Sequence, residues 1–522
     1  MKRIIFLSLA FTTTASAVVA QSKLQAPPNL DAVVQNVLSS FEVPGISIAI
    51  VKNGKVILAK GYGVRQLGQP KPVDEHTLFP IASNTKAFTA TALALLVQEG
   101  KIKWDDPVID HLPWFRMSDP FVTANMTIRD LLVHRSGLPA YAGDLLQFPP
   151  TDYSREAIVR KLKDIPLAAS FRSTYAYDNI LYLAAGEVIK AVSGQNWEDF
   201  VQQRILDKVG MRESVLRFSK LKQQPNLATS HAPVNGKVQV LENFFEQGFS
   251  DVSAPAGGIA SNAVDMAQWM LVQLDSGRAS NGNQVFKPSA INELWKLVTP
   301  MPFGKANEAV KPANMDFLGY ALGFNVFNYR GVKVVAHGGK LDGFVSRMTL
   351  FPDLDLGIAV LTNQEGGGPY ASITNTIADY YLNAPSFNWV EGYKKIAVAN
   401  REAILKKESG QAQLRNTQSS PSLPLSAYAG TYTDKWYGDV IISQVNNKLS
   451  IRFAHSPQLA GELEHWQYNT FIARWKNRGL RADAYITFSL RADGSIEHAT
   501  MKAISTLTDP SHNFHDLLLK RK

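Results

Sequence analysis

The sequence predicts an α+β protein: an antiparallel sheet flanked by helices, with a large helical subdomain inserted into it, followed by a small all-β barrel or half-barrel. Three observations predict this. Two β-patterned runs near the start, Gly45 to Val51 and Lys55 to Ala59, flank Lys52-Asn-Gly54, and Asn-Gly accepts the positive φ of a tight hairpin turn. Further β-rich runs return only after a long stretch of helical patterns and loops from Thr85 to about Leu297. From Tyr428 to the end, short alternating runs are separated by turn signals at Gly438-Asp439, Asn446-Asn447 and Asp493-Gly494, the pattern of a small barrel.

The elements follow in order. Lys2 and Arg3 precede the apolar run Ile4 to Phe11, and small residues at Ala15-Ser-Ala17 and Val18-Val-Ala20 offer two cleavage points, so residues 1–20 read as a secretory signal peptide. Residues 21–385 form the main domain. It opens with a helix from Leu30 to Phe41 and the hairpin, and closes with strands at Val332 to Ala336, Phe344 to Phe351 and Leu356 to Leu361, then a helix from Tyr370 to Leu382. Two strands, a helical insertion, three strands and a helix suggest one sheet completed by both ends of the domain. Residues 386–424 are a connector, charged and helical from Glu391 to Arg415, then of linker composition at Gln418-Ser-Ser-Pro-Ser-Leu-Pro424. Residues 425–522 are the barrel domain.

Composition narrows the class. At 522 residues the chain is long enough for two to three domains, and 45% hydrophobic with 19% charged residues is globular. Without cysteine there is no disulfide framework, thiolate metal site or lipid-attachment cysteine. The formal charge of +9 is modest, and the basic residues are scattered rather than striped with aromatics, which argues against a nucleic-acid partner. No later apolar run is long enough to span a bilayer. The expectation is a periplasmic or secreted protein with no stable membrane insertion after signal cleavage.

Chemistry concentrates first at Ser83. In Phe79-Pro-Ile-Ala-Ser-Asn-Thr-Lys86, the hydroxyl and the Lys86 amine are one turn apart at the start of the apolar stretch Ala87 to Val97. At that spacing the amine can reach the hydroxyl, and the helix N-terminus supplies partial positive charge where an oxyanion would form. Ser219 and Lys222 share the spacing but lie in a charged segment ending at Pro225, and read as solvated surface. A second segment is Tyr177-Asp-Asn179, ahead of the apolar helix Ile180 to Val192. A nearby ammonium favours a phenolate, so Tyr177 could share the general-base role with Lys86, while Asn179 could hold Lys86 and a substrate amide. Tyr381-Leu-Asn383 matches the same pattern at what reads as a helix end. The third segment is His337-Gly338-Gly339, directly after a strand, where glycines allow close backbone approach. The Lys340 N–H would be a second oxyanion donor beside that of Ser83.

In chain order these three segments resemble the active-site motifs of the serine β-lactamase-like hydrolases, the family of class C β-lactamases, DD-carboxypeptidases, D-aminopeptidases and related esterases. Trp104-Asp-Asp-Pro107, Leu131-Leu-Val-His-Arg-Ser-Gly-Leu138, Pro255-Ala-Gly-Gly-Ile259 and His337 to Gly343 running into Leu361-Thr-Asn363 look like the same family. The resemblance spans roughly residues 30 to 385 and implies a β-lactamase/transpeptidase-like fold. It also implies Ser83 as acylated nucleophile, Lys86 and Tyr177 as proton-transfer pair, Asn179 as substrate contact, and the Ser83 and Lys340 N–H groups as oxyanion hole. The barrel resembles the lipocalin-like domains found behind such catalytic domains.

His337 is the departure, because many β-lactamases and carboxypeptidases have lysine there to position a substrate carboxylate. Histidine is mostly neutral at pH 7, so the esterase and D-aminopeptidase branches resemble this chain better. The expected activity is hydrolysis of an ester or peptide bond in a small molecule, including one with a D-residue, through an acyl-enzyme. The alternatives are a β-lactamase or DD-carboxypeptidase, and a penicillin-binding-type sensor that acylates without turnover. No cofactor is called for, and the oligomeric state stays open. His134 and Ser136 read as a structural turn after a short helix at Ile128 to Val133, and no Gly-x-Ser-x-Gly elbow occurs. His512-x-x-His515 lacks partners at zinc-ligand spacing and reads as a surface pair, so no metal site is expected.

Overall fold

The computed structural model describes residues 23–522 except 235, 243, 248 and 414; the signal-peptide reading of residues 1–20 lies outside the described residues. Helix α1 (Leu30–Ser40) leads into strands β1 (Gly45–Lys52) and β2 (Lys55–Gly63). The hairpin turns at Asn53 and Gly54, with φ of 50° and 70°. The helical insertion contains α2 (Thr85–Gln98), α3 (Ile180–Ser193) and α4 (Ala263–Leu274). The chain then returns through β3 (Thr299–Pro300), β4 (Leu318–Tyr320), β5 (Asn325–Tyr329), β6 (Val332–Leu341), β7 (Phe344–Phe351) and β8 (Leu356–Thr362). Helices α5 (Gly368–Leu382) and α6 (Trp389–Gln413) follow.

The sheet order is β2-β1-β8-β7-β6-β5-β4-β3. The first strand therefore pairs with the last, antiparallel, from Ile46 opposite Thr362 to Lys52 opposite Leu356, and the domain is closed by its two ends. β1 and β8 are buried on both faces. Ile46, Ile48, Ile50 and Val360 pack with α1 and α5, while Ala49 and Ala359 pack towards the helical insertion. Loss of the apolar/polar alternation in these strands is the signature of that two-sided cover.

Three local expectations need correction. The strand read as ending at Ala336 continues to Leu341, so His337-Gly338-Gly339 lies inside a strand and not after it. Strands β3 to β5 were not expected, because they are short and carry Asn, Gly and Pro. Residues 128–133 form turns instead of a helix.

Beyond α6, eight antiparallel strands close into a barrel: β9 (Gly430–Asp434), β10 (Gly438–Val445), β11 (Lys448–Phe453), β12 (Ser456–Gln467), β13 (Thr470–Trp475), β14 (Ala484–Leu490), β15 (Ile496–Ala503) and β16 (Leu518–Arg521). Closure is made by Tyr432 opposite Arg521 and Thr433 opposite Lys520, which leaves no open sheet edge. Buried Tyr432, Phe453, Phe471, Trp475 and Phe488 fill the inside, with Phe453 and Trp475 edge to face at 5.8 Å between centroids. The barrel docks through Tyr153, whose hydroxyl donates to the Tyr437 carbonyl at 2.9 Å and whose ring stacks on His455. The loop between β15 and β16 reaches the main domain's cleft.

Candidate active site

Ser83 sits in a single 3-10 turn, Ala82–Asn84, at the entrance to α2. Every residue from Ile81 to Ala90 is buried except Ser83. The turn is pinned from both sides. The Ile81 N–H donates to the Ile259 carbonyl at 2.9 Å, Asn84 Nδ2 donates to Ser346 Oγ at 2.8 Å, and Ser346 Oγ donates to the Ile81 carbonyl at 2.7 Å. Ala82 is held at φ 47°, a conformation costing an L residue on the order of 1 kcal/mol. These contacts hold it there and lift Ser83 out of the core.

Lys86 is fully buried, and its amine meets three oxygens: Ser83 Oγ at 3.2 Å, Asn179 Oδ1 at 2.7 Å and the Ala256 carbonyl at 2.8 Å. Burial pushes the amine down to about 7, against the opposing charge of Asp144. The neutral amine has two N–H bonds and one lone pair. With both hydrogens on Asn179 and Ala256, the lone pair is left for the Ser83 hydroxyl. Tyr177 donates its own O–H to Ser83 Oγ at 2.8 Å. Its ring lies 4.8 Å from Lys86 Nζ and 4.3 Å from the His134 ring.

The expected phenolate is not what this environment favours. Burial pushes the Tyr177 phenol well above its ordinary value, because desolvation penalises an anion wedged among aromatic rings, and so Tyr177 is set as a donor. Asn179 begins α3 without capping it; its amide instead bridges Lys86 and Asp144, donating to Asp144 Oδ2 at 2.7 Å. Asp144 is wholly buried, its carboxyl pushed up to about 7 by desolvation. It had no signal in the sequence.

The third segment lines the site from β6. Pairing with β5 stops at Ala336 opposite Asn325, so His337 to Leu341 present an unpaired outer edge to the Ser83 turn. Gly339 is needed there, since a Cβ would lie 2.1 Å from the Ile81 carbonyl oxygen and 2.6 Å from Ser346 Oγ. The close approach is by the nucleophile's own backbone. At Gly338 the nearest atom to a Cβ would be Arg347 Nη1, at an ordinary 3.5 Å. Gly339→Ala is therefore expected to cost about 1–3 kcal/mol and to slow acylation, with Gly338→Ala much milder; denaturant melts and labelling rates of the pair check this.

His337 does not face the cavity as a substrate contact was expected to. It is buried, its Nδ1 donates to the Gly338 carbonyl at 2.6 Å, and its Nε2 accepts from the Tyr320 hydroxyl at 2.7 Å. Both nitrogens are thus used inside the protein, and burial together with the Lys86 charge holds the ring down at about 3. Tyr320, on the unexpected strand β4, is the reason. Lys340 lines the cavity, its ammonium 3.1 Å from Asp509 of the barrel.

The barrel loop completes the wall. Asp509, Ser511 and His512 lie with Ser83, Asn179 and Lys340 around a cavity of about 70 Å³, and Ser511 Oγ donates to Asp144 Oδ2 at 2.9 Å. His512 was expected at the surface; it is buried, with neither ring nitrogen hydrogen-bonded. Only docking of the second domain could reveal this. Ser219 donates to Asp251 Oδ2 at 2.6 Å on an exposed turn. His134 accepts from the Asp178 N–H and Ser136 donates to the Asp178 carboxylate, which props the Tyr177 segment. Among the described residues no cluster of His, Asp and Glu could hold a metal ion.

A family model described as Beta-lactamase matches residues 30–382, and one described as a domain of unknown function (DUF3471) matches residues 414–521. The chain is 28% identical over 440 residues to a protein named unguisins hydrolase ungD from Aspergillus violaceofuscus, across 80% of this chain and 76% of that protein. Its fold is similar to that of the octameric penicillin-binding protein homologue from Pyrococcus abyssi, with a TM-score of 0.59 and 21% identity over 94% of this chain and 99% of that one. It is also similar to the D-amino acid amidase from Ochrobactrum anthropi SV3, with a TM-score of 0.54 and 21% identity over 68% and 98%.

Proposed function

Since the chain belongs to the Beta-lactamase family and is a serine hydrolase acting on ester or amide bonds, we propose that it is an exported enzyme that hydrolyses esters or amides of small acyl groups, D-aminoacyl groups included, through an acyl-enzyme at Ser83. The observation that carries this is the convergence on Ser83 Oγ of a buried lysine amine and a tyrosine hydroxyl, with the amine's other hydrogens already committed.

In this reading the Ser83 proton passes to the Lys86 lone pair as Oγ attacks the substrate carbonyl carbon. The oxyanion is received by the N–H groups of Ser83 and Lys340. Tyr177, a neutral phenol, gives its proton to the leaving oxygen or nitrogen and is reprotonated from the Lys86 ammonium. Water then attacks the acyl carbon by the same relay in reverse. Export rests on the charged and apolar start of the chain. The D-aminoacyl preference rests on the likeness to a D-amino acid amidase, whose name states that substrate class.

Two observations favour this reading over a β-lactamase or cell-wall peptidase. His337 is neutral and internally bonded where a cation would anchor a substrate carboxylate, and the barrel loop leaves about 70 Å³ beside Ser83, well below the roughly 300 Å³ at which drug-sized ligands are accommodated. A panel of p-nitrophenyl esters of rising acyl length, D- and L-aminoacyl amides and a chromogenic cephalosporin tests it. Turnover is expected for short acyl esters and D-aminoacyl amides and not for the cephalosporin; the reverse order of rates would overturn the assignment.

The pH profile follows from Lys86. The base must be neutral, so kcat/KM on an ester is expected to rise as pH passes upward through about 7. Asp144 holds the amine up by its charge, so Asp144→Asn favours the neutral amine and moves the acid limb to lower pH. The substitution is sterically mild, because Gln147, which donates to Asp144, has an unpartnered carbonyl oxygen and can flip to accept. An unmoved or raised limb would show that another group controls it.

A further inference from the structure

On the face of the sheet turned away from Ser83, strands β4 to β7 and helices α5 and α6 border an open cavity of about 740 Å³. The strands contribute Phe327, Tyr329, Val334 and Phe351, and the small residues Ala371 and Ala397 on the helices leave the space open. Its size is that of a small-molecule site, and it shares no lining residue with the catalytic cavity.

Its polar content is specific. Arg347 is the one charged residue in the lining. Its guanidinium rests over the rings of Phe327 and Tyr370, 5.7 Å and 5.9 Å from their centroids. No carboxylate lies within ion-pair distance of it among the described residues. The contrast with its neighbour is informative: Arg330, at the end of β5, is held by Asp379 at 2.7 Å. Arg347 is half-buried and open to the cavity, so its guanidinium, with no acid beside it, is the donor that a ligand carboxylate would meet.

We propose that this cavity is a ligand site for an amphipathic monocarboxylate, a molecule of the fatty-acid class, with its carboxylate on Arg347 and its chain along the aromatic and aliphatic wall. A single cation without a competing acid selects a single negative charge. The remaining lining is apolar or neutral, which suits a hydrocarbon body. Arg347 stands opposite Gly338 in the β6–β7 register, so the headgroup would lie directly behind the strand that lines the catalytic cleft.

The test uses the full chain carrying Ser83→Ala, so that ester chemistry at the catalytic serine plays no part and the outcome is independent of the hydrolase assignment. Binding of cis-parinarate is followed by fluorescence and competed with dodecanoate, dodecanol and dodecyltrimethylammonium. The expected result is saturable 1:1 binding, with dodecanoate displacing the probe at least about tenfold better than the alcohol or the cation. Arg347→Met is expected to weaken parinarate at least about tenfold, and Ala397→Trp, on the exposed side of α6, to block it without touching the core. Circular dichroism melts establish that both variants fold. Absence of saturable binding, equal competition by all three amphiphiles, or undiminished binding in both variants would overturn the proposal.

Discussion

Replacement of Ser83 by alanine is expected to lower turnover of any ester substrate by on the order of 10⁴-fold or more and to abolish covalent labelling by a fluorophosphonate. Ser83 is the one residue from Ile81 to Ala90 that is not buried, and its hydroxyl meets both Lys86 and Tyr177. Among the described residues no other serine has this pair. Removing Oγ deletes the atom that would carry the acyl group and the acceptor of the Tyr177 hydroxyl, but the turn itself stays held by Asn84, Ser346 and the Ile259 carbonyl. The variant should therefore melt like its parent, which separates loss of chemistry from loss of fold. Intact mass after labelling should show one adduct on the parent and none on the variant. An adduct that persists and maps elsewhere would sink the proposal that Ser83 is the nucleophile.

The second large effect is expected at Lys86. Lys86→Met keeps length and removes the amine, and kcat/KM should fall by about 10²- to 10⁴-fold, the usual weight of a general base. The acid limb near pH 7 should disappear with it, because the group that titrates there is gone. Tyr177→Phe should cost less and should leave that limb in place, since Tyr177 enters as a phenol whose ionisation burial disfavours. Were Lys86→Met to keep the limb and Tyr177→Phe to lose it, the base would be Tyr177. Methionine leaves the Asn179 and Ala256 oxygens without a donor, so a lower melting temperature accompanies the loss of rate; the pH profile, not the melt, decides the role.

Legibility along the chain tracks the range of the interactions involved. The hairpin at Asn53-Gly54 is local, and so are the apolar runs of β1 and β8, whose cover on both faces is written in unbroken hydrophobic sequence. Ser83 and Lys86 are three residues apart, so their meeting is a matter of one turn. Strands β3 to β5 have no such local mark. They are held by neighbours across the sheet, and with them came Tyr320, the group that occupies His337. Asp144 and His512 are 368 positions apart in sequence and belong to different domains; their place beside Ser83 depends on how the barrel docks.

The sequence by itself determined the fold class, the two-domain order and the Ser83, Lys86, Tyr177 and Asn179 set, because periodicity, turn residues and short motif spacings are encoded within a few residues of one another. Tertiary structure alone decided the protonation states and the shape of the cleft. Burial, which no motif records, brings Lys86 down to about 7 and keeps Tyr177 protonated. Contact between distant segments turns His337 inward, makes Gly339 a seat for the nucleophile's backbone, and closes the cavity with a loop from the barrel.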